Sequence, residues 1–366
     1  MTLFAVTAVV LAASVQSASA AVTTKKAIWG PQEQNGVSQW PVYKELGVGI
    51  FQMQLRWERV APTKPANPRD PNDPAYVWPK QVDSAIAGGR PFGIQVLLLV
   101  QGAPGWANGG KPWNFPPSSP AAYADFITAA AKRYPGVKRW MIWGEPNGYA
   151  TNGKVALSNF MGIRPDLGKP LPRSRQAGPR LYARYLDAAY GRLKARSRRN
   201  LVIGGNTWTA GAVRPLHWIR ALKLPSGKAP RMDLYGHNPG SPRRPDLRKS
   251  PQARGTADFS DLDTLGRTID RHLGRRSNGK QIGIFISEYV VLTDNAIPGL
   301  PYFRTLRGQA SYIAAAMRIV RHSKRISSLG IFKLYDDPRG DAPDANWGLL
   351  RADGTRKPSF RAFARG

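Results

Sequence analysis

Eight short apolar runs recur along the chain, and helix-like segments separate them. The runs are KAIWG (26–30), VGIFQMQLRW (48–57), PFGIQVLLLV (91–100), VKRWMIWGE (137–145), LVIGG (201–205), MDLYGHN (232–238), IGIFISEY (282–289) and LGIFKLYD (329–336). They are near-continuously apolar rather than alternating, which suits parallel strands covered on both faces. Between them, PAAYADFITAAAKRY and GPRLYARYLDAAYGRLKA open on Pro120 and Pro179, residues that fit a first helical turn. DLDTLGRTIDRHLG sets Leu262, Leu265, Ile269 and Leu273 on one stripe and stops at Gly274. GQASYIAAAMRIVRHSK leads into the last run. Strand–helix alternation repeated eight times predicts an α/β fold, a (β/α)8 TIM barrel, with a doubly wound sheet as the alternative.

The first twenty residues read differently. LFAVTAVVLAASV is too short to span a bilayer, and Ala18-Ser19-Ala20 fits a small-x-small cleavage site. This predicts a signal peptide over 1–20, export from the cell, and a single barrel domain over 21–366. No later segment is apolar for long enough to cross a membrane. The stretch from Gly148 to Gly178 is rich in Gly, Pro and Arg and follows the fourth run, where a long loop is more often functional than accidental.

Composition narrows the chemistry. There are no cysteines, which removes zinc–thiolate sites and Cys nucleophiles. The four histidines, at 217, 237, 272 and 322, are scattered rather than clustered, so no metal site is expected. GxSxG, HExxH and GxxxxGK[ST] motifs are absent, and no cofactor is implied. The net charge of +31 has two readings, a solvated arginine-rich surface or an anionic partner. The basic runs RSRQAGPR, RSRRN and SPRRPDLRK lack interleaved aromatics, so nucleic acid is not expected.

Only five glutamates occur: Glu33, Glu45, Glu58, Glu145 and Glu288. Two of them end apolar runs, Glu145 in WMIWGE and Glu288 in IGIFISE. In a TIM barrel the C-terminal strand ends carry the chemistry, and strands four and seven face one another across the mouth. Alone, either glutamate reads as an N-cap or a salt bridge. Together they suit glycoside hydrolysis, in which one carboxyl gives a proton to the leaving oxygen and the other attacks the anomeric carbon.

WGEPN followed by ISEYV resembles the two catalytic strands of clan A retaining glycoside hydrolases, nearest to family 39 and its actinobacterial relatives. GAPGWA, GPRLYARYLDAAY and NWGLLRADGTRKPSF support the resemblance, which covers nearly all of 21–366. It implies a retaining glycosidase with Glu145 as acid/base, Glu288 as nucleophile and Arg56 as the cation that keeps the nucleophile ionised. It also implies an active-site role for His237. The sequence departs from the pattern at Gly144, where the family has an Asn that binds a sugar hydroxyl; Asn147 or Asn206 is the expected substitute. Pro239 stands where a Tyr is usual, and LYDD, with Tyr335, stands where a Trp is usual. Trp29, Trp57, Trp106, Trp143 and Trp208 fall at or just past run ends, and Trp106 and Trp143 are the expected carbohydrate platforms.

The expected partner is therefore a polysaccharide or oligosaccharide outside the cell, with an acidic glycan or an anionic wall as a second expectation. Two rivals remain: a barrel that binds glycans without cleaving them, and a basic scaffold that binds polyanions.

Overall fold

The computed structural model describes residues 21–148, 169–209, 211–240, 242–297, 302–337 and 346–366. The signal peptide expected over 1–20 and most of the loop after Gly148 lie outside the described residues. Eight parallel strands close into a barrel: β1 (Thr23–Trp29), β2 (Val48–Arg56), β3 (Gln95–Gln101), β4 (Arg139–Ile142), β5 (Leu201–Trp208), β6 (Leu234–Asn238), β7 (Gly283–Tyr289) and β8 (Ile326–Phe332). Each strand pairs with its neighbours in sequence, and β8 closes on β1 through Lys26–Leu329 to Trp29–Phe332. The doubly wound alternative is thereby excluded.

A helix follows every strand: α1 (Trp40–Glu45), α2 (Lys80–Gly89), α3 (Pro120–Arg133), α4 (Ala177–Arg196), α5 (Pro215–Ala221), α6 (Leu262–Leu273), α7 (Leu306–His322) and α8 (Pro358–Arg365). Their ends follow local chemistry. Ser119 caps α3 by accepting from the Ala122 amide, and Thr305 caps α7 by accepting from Gly308. Gly274 ends α6 at φ 73°, a conformation that costs a side chain and suits glycine. α4 begins two residues before Pro179, which remains within the turn whose amides need no intrahelical partner.

Two apolar layers hold the barrel. Ala27, Trp29, Ile50, Leu97, Leu99, Met141, Ile203, Leu234 and Phe285 fill its inside. The alternate residues of the same strands pack outward against the helices. At the C-terminal end the inner layer turns polar, with Gln52, Gln101, Asn206, Asn238 and Ser287 all buried.

Among the differences from the expected strand bounds, three shape the mouth. β4 stops at Ile142 because Trp143 adopts a left-handed backbone, φ 66°. β5 runs on to Trp208 through a bulge, with Gly204 paired to Tyr235 and Thr207 to His237. β8 begins at Ile326, with polar Ser327 and Ser328 inside it, and ends at Phe332. The following residues turn to another partner, and Tyr335 bridges Leu350. The C-terminal segment is anchored by Lys357, whose Nζ lies 2.6 Å from Asp336 with both side chains buried.

Candidate active site

Bulges decide which side chains enter the mouth. Along β6, Leu234 faces the inner core and Tyr235 the outer, so Asn238 points inward and His237 outward. On β7 the pairing to β8 jumps from Ile286–Leu329 to Ile331–Tyr289, one extra residue on β7. That extra residue lets Ser287 and Glu288, adjacent in sequence, both serve the mouth, while Tyr289 packs outward on Phe259. The β5 bulge does the same for Asn206, while Thr207 turns outward.

Glu145 sits just past β4 at φ 42°, between two further left-handed residues at the mouth, Trp143 at 66° and Asn206 at 44°. A bulky residue in this region costs on the order of 1–3 kcal/mol, and such strain concentrates at functional sites. Asn238 Nδ2 donates to Glu145 Oε1 at 2.9 Å. Burial pushes the Glu145 carboxyl up, and this hydrogen bond pulls it partway back, to about 7.

Glu288 is pushed up to about 8, first by burial and then by the charge of Glu145, while the Lys333 ammonium pulls it down. The carboxyls are therefore close enough for each to feel the other, and they titrate as a pair. Burial raises both carboxyls, so the pKa values do not assign the roles.

Lys333 lies one residue past β8. It forms a 2.9 Å ion pair with Asp337 and approaches the rings of Phe332 and Trp347. Sequence reasoning missed it because a lysine in LGIFKLYD reads as an exposed strand position. Asn238 was missed beside the more conspicuous His237, and Ser287 beside Glu288.

The other expected residues divide. Arg56 forms a 2.5 Å ion pair with Glu58 and lies 3.7 Å over the Trp113 ring. Its described ion pair is thus with Glu58, and the cation acting on Glu288 is Lys333. His237 is fully buried, with Nε2 2.9 Å from the Ala257 carbonyl and Nδ1 3.0 Å from Thr207 Oγ1. The carbonyl can only accept, so Nε2 carries the proton and both ring nitrogens are occupied structurally. Burial pushes its pKa down to about 4. The expected active-site contact through His237 is corrected accordingly: strand alternation turns it away from the mouth.

Asn147 is likewise structural. Its amide donates to the Trp208 and Val213 carbonyls, both at 2.8 Å, and accepts from the Trp208 amide at 2.9 Å. Both amide protons are taken and the side chain is fully buried, which closes it to a sugar. Asn206 does face the mouth layer, 2.8 Å from Ser287 Oγ. Trp143 is 1 % exposed and packs on Tyr123, so the expectation of a platform there is corrected: its left-handed backbone turns the indole into the helix layer. Trp106 is half-buried at the rim, donating to the Ala61 carbonyl at 2.9 Å and meeting Trp57 edge-on. Tyr335 directs its hydroxyl to Gln39 at 2.8 Å, toward the start of α1. Among the described residues no group of three or more His, Asp or Glu is placed to hold a metal.

No protein-family model matches the chain, and no curated protein matches it significantly. Solved structures do match over 94–95 % of it. A family 39 glycoside hydrolase from Bacteroides cellulosilyticus WH2 aligns with a TM-score of 0.61 at 19 % identity, the chain spanning 63 % of that protein's length. A monomeric β-xylosidase from Caulobacter crescentus CB15 aligns at 0.59 and 15 %, with 68 % of its length covered. A family 39 enzyme from Xanthomonas axonopodis pv. citri aligns at 0.59 and 15 %, with 67 % covered. The shared feature is the (β/α)8 barrel.

Proposed function

We propose that the chain is a retaining glycoside hydrolase with Glu145 as acid/base and Glu288 as nucleophile. One observation carries this reading: the half-buried carboxyls of Glu145, just past β4, and Glu288, on β7, stand within electrostatic reach of one another at the C-terminal mouth of the barrel. Two carboxyls held close together and partly desolvated cost stability when ionised, and such perturbed pairs concentrate at catalytic sites. The family 39 neighbours support the reaction class, and the β-xylosidase among them supports a carbohydrate substrate.

In the first step Glu145 gives its proton to the glycosidic oxygen as the bond to the anomeric carbon breaks. Glu288 attacks that carbon from the opposite face, forming a glycosyl–enzyme ester. Glu145, now ionised, takes a proton from water, and the resulting hydroxyl displaces Glu288 with net retention. Role assignment follows the position of each residue in the barrel. A bound sugar supplies the discrimination that the free pair lacks, because the leaving oxygen stands beside Glu145 and the anomeric carbon beside Glu288. Asn238 favours the ionised form of Glu145 needed in the second step, and Lys333 favours ionised Glu288 in the first. Trp106 and Trp113 are the candidate rim platforms.

The substrate is read as a polysaccharide or oligosaccharide met outside the cell, with an acidic glycan as the second reading in view of the net charge of +31. Among the described residues no helix is long and apolar enough to cross a membrane. The test is release of reducing sugar from xylans, glucans, arabinans, galactans and uronate polymers, comparing wild type with Glu288→Ala. Release that disappears in the variant supports the reading and names the substrate. Binding that survives the mutation, with no release by wild type, replaces it with a glycan-binding barrel.

A further inference from the structure

We infer that Ser287 is a positioning residue that fixes the Asn238 amide so that its N–H, and not its carbonyl, meets Glu145. The inference rests on the role proposed for Glu145. Ser287 Oγ lies 2.7 Å from Asn238 Oδ1 and 2.8 Å from Asn206 Oδ1, yet a hydroxyl has one proton to donate. Asn206 Nδ2, meanwhile, is buried without a partner. A half-turn of the Asn206 carboxamide resolves both facts, since Nδ2 then donates to Ser287 Oγ and the hydroxyl proton is released to Asn238. The result is a one-way chain across three adjacent strands: Asn206 on β5 donates to Ser287 on β7, Ser287 donates to Asn238 on β6, and Asn238 donates to Glu145 past β4.

All three side chains are buried, so water does not compete for these bonds. The chain is also anchored. The Ser287 carbonyl accepts from Trp29 Nε1 at 3.0 Å and Gln52 Nε2 at 2.8 Å, which pins the bulge to β1 and β2. With Ser287 donating to its oxygen, Asn238 has its nitrogen left for Glu145. Without that hydroxyl, the amide is free to turn its oxygen to Glu145, an arrangement that stabilises only the protonated carboxyl.

Among the described residues, the other charged groups at the mouth include Glu288 on β7, Lys333 paired with Asp337 past β8, and the Arg56–Glu58 pair past β2. None of them contacts Ser287 Oγ, so their contribution is the same in both variants below.

With only five glutamates, 13Cδ-glutamate labelling gives five carboxyl resonances, and Glu145→Gln identifies the one of interest. Its titration midpoint is expected to rise by about half a unit or more in Ser287→Ala and to return in Ser287→Thr. The alkaline limb of kcat/KM is expected to move the same way. An unchanged midpoint in folded Ser287→Ala overturns the inference, as does a shift that Ser287→Thr fails to reverse. If Ser287→Ala does not fold, Ser287→Cys keeps the volume, replaces the hydroxyl with a much weaker donor and is read in the same way. The NMR titration needs no substrate, so a protein inactive on every glycan refutes the hydrolase reading while still testing the chain of donors.

Discussion

Gly144 faces the carboxamide of Gln101 so closely that a Cβ built on it overlaps Gln101 Oε1 and reaches Leu99. The inward space beside Glu145 is therefore filled from β3 instead of from residue 144. Gln101 is fully buried, and neither of its amide atoms has a partner. The absence of a side chain at 144 and the glutamine at 101 are two halves of one packing solution.

Gly144→Ala is accordingly expected to destabilise the fold by about 1–3 kcal/mol through overpacking. Combining it with Gln101→Ala should recover most of that loss. Urea unfolding of the two single variants and the double variant measures the coupling, and strictly additive effects would show that the two positions do not compete for space.

Stability should carry the imprint of the carboxyl pair. Both carboxyls have folded-state values, about 7 and about 8, above the 4.5 of a free glutamate. Between those limits the folded protein binds more protons than the unfolded chain, so stability falls as pH rises from about 4.5 through 8. Glu288→Gln removes the penalty and is expected to raise Tm by a few degrees at pH 8, with no difference at pH 4. Calorimetry at the two pH values checks this, and a stabilisation that is equal at both would separate it from ionisation.

Removing the cation beside Glu288 should act on the acid side of the activity profile. Lys333→Met lets the Glu288 carboxyl rise further, so less of it is ionised at low pH. Activity should drop about threefold to tenfold at pH 6 and recover toward the wild-type level at pH 9. A uniform loss across the profile would mean that Lys333 contributes shape and not charge.

The buried pair of Asp336 and Lys357 offers a test away from the chemistry. Lys357 also donates to Thr293 and to the Asn346 carbonyl, so one ammonium ties three segments together. Lys357→Met strands a buried carboxylate and is expected to cost about 3–5 kcal/mol, whereas Asp336→Asn with Lys357→Met should cost less. Denaturant unfolding decides; equal losses would show that the charge pairing is not what matters.

The barrel was legible because burial on both faces writes eight apolar runs that survive any shuffling of polar residues elsewhere. The carboxyl pair was legible because glutamate is scarce and two of the five sit at run ends. What failed was parity. His237 and Asn238 are adjacent, and only the strand's alternation tells which faces inward; the register that sets it is fixed by partners on β5 and β7. Trp143 misled for the same reason, since one left-handed residue reverses the side it serves. Lys333 and Tyr335 depended on where β8 ends, and Phe332 closes it earlier than the apolar pattern indicates.

The bulge on β7 makes the mouth behave like a reading frame. Deleting one residue between Ile286 and Tyr289 would leave every ladder free to re-form around a closed barrel. Where that residue is Ser287, plain alternation returns, with Ile286 outward, Glu288 inward and Tyr289 outward, so the mouth keeps its carboxylate and loses the hydroxyl that meets Asn238. The carboxylate and the hydroxyl that supports its partner are thus separable here by a single codon.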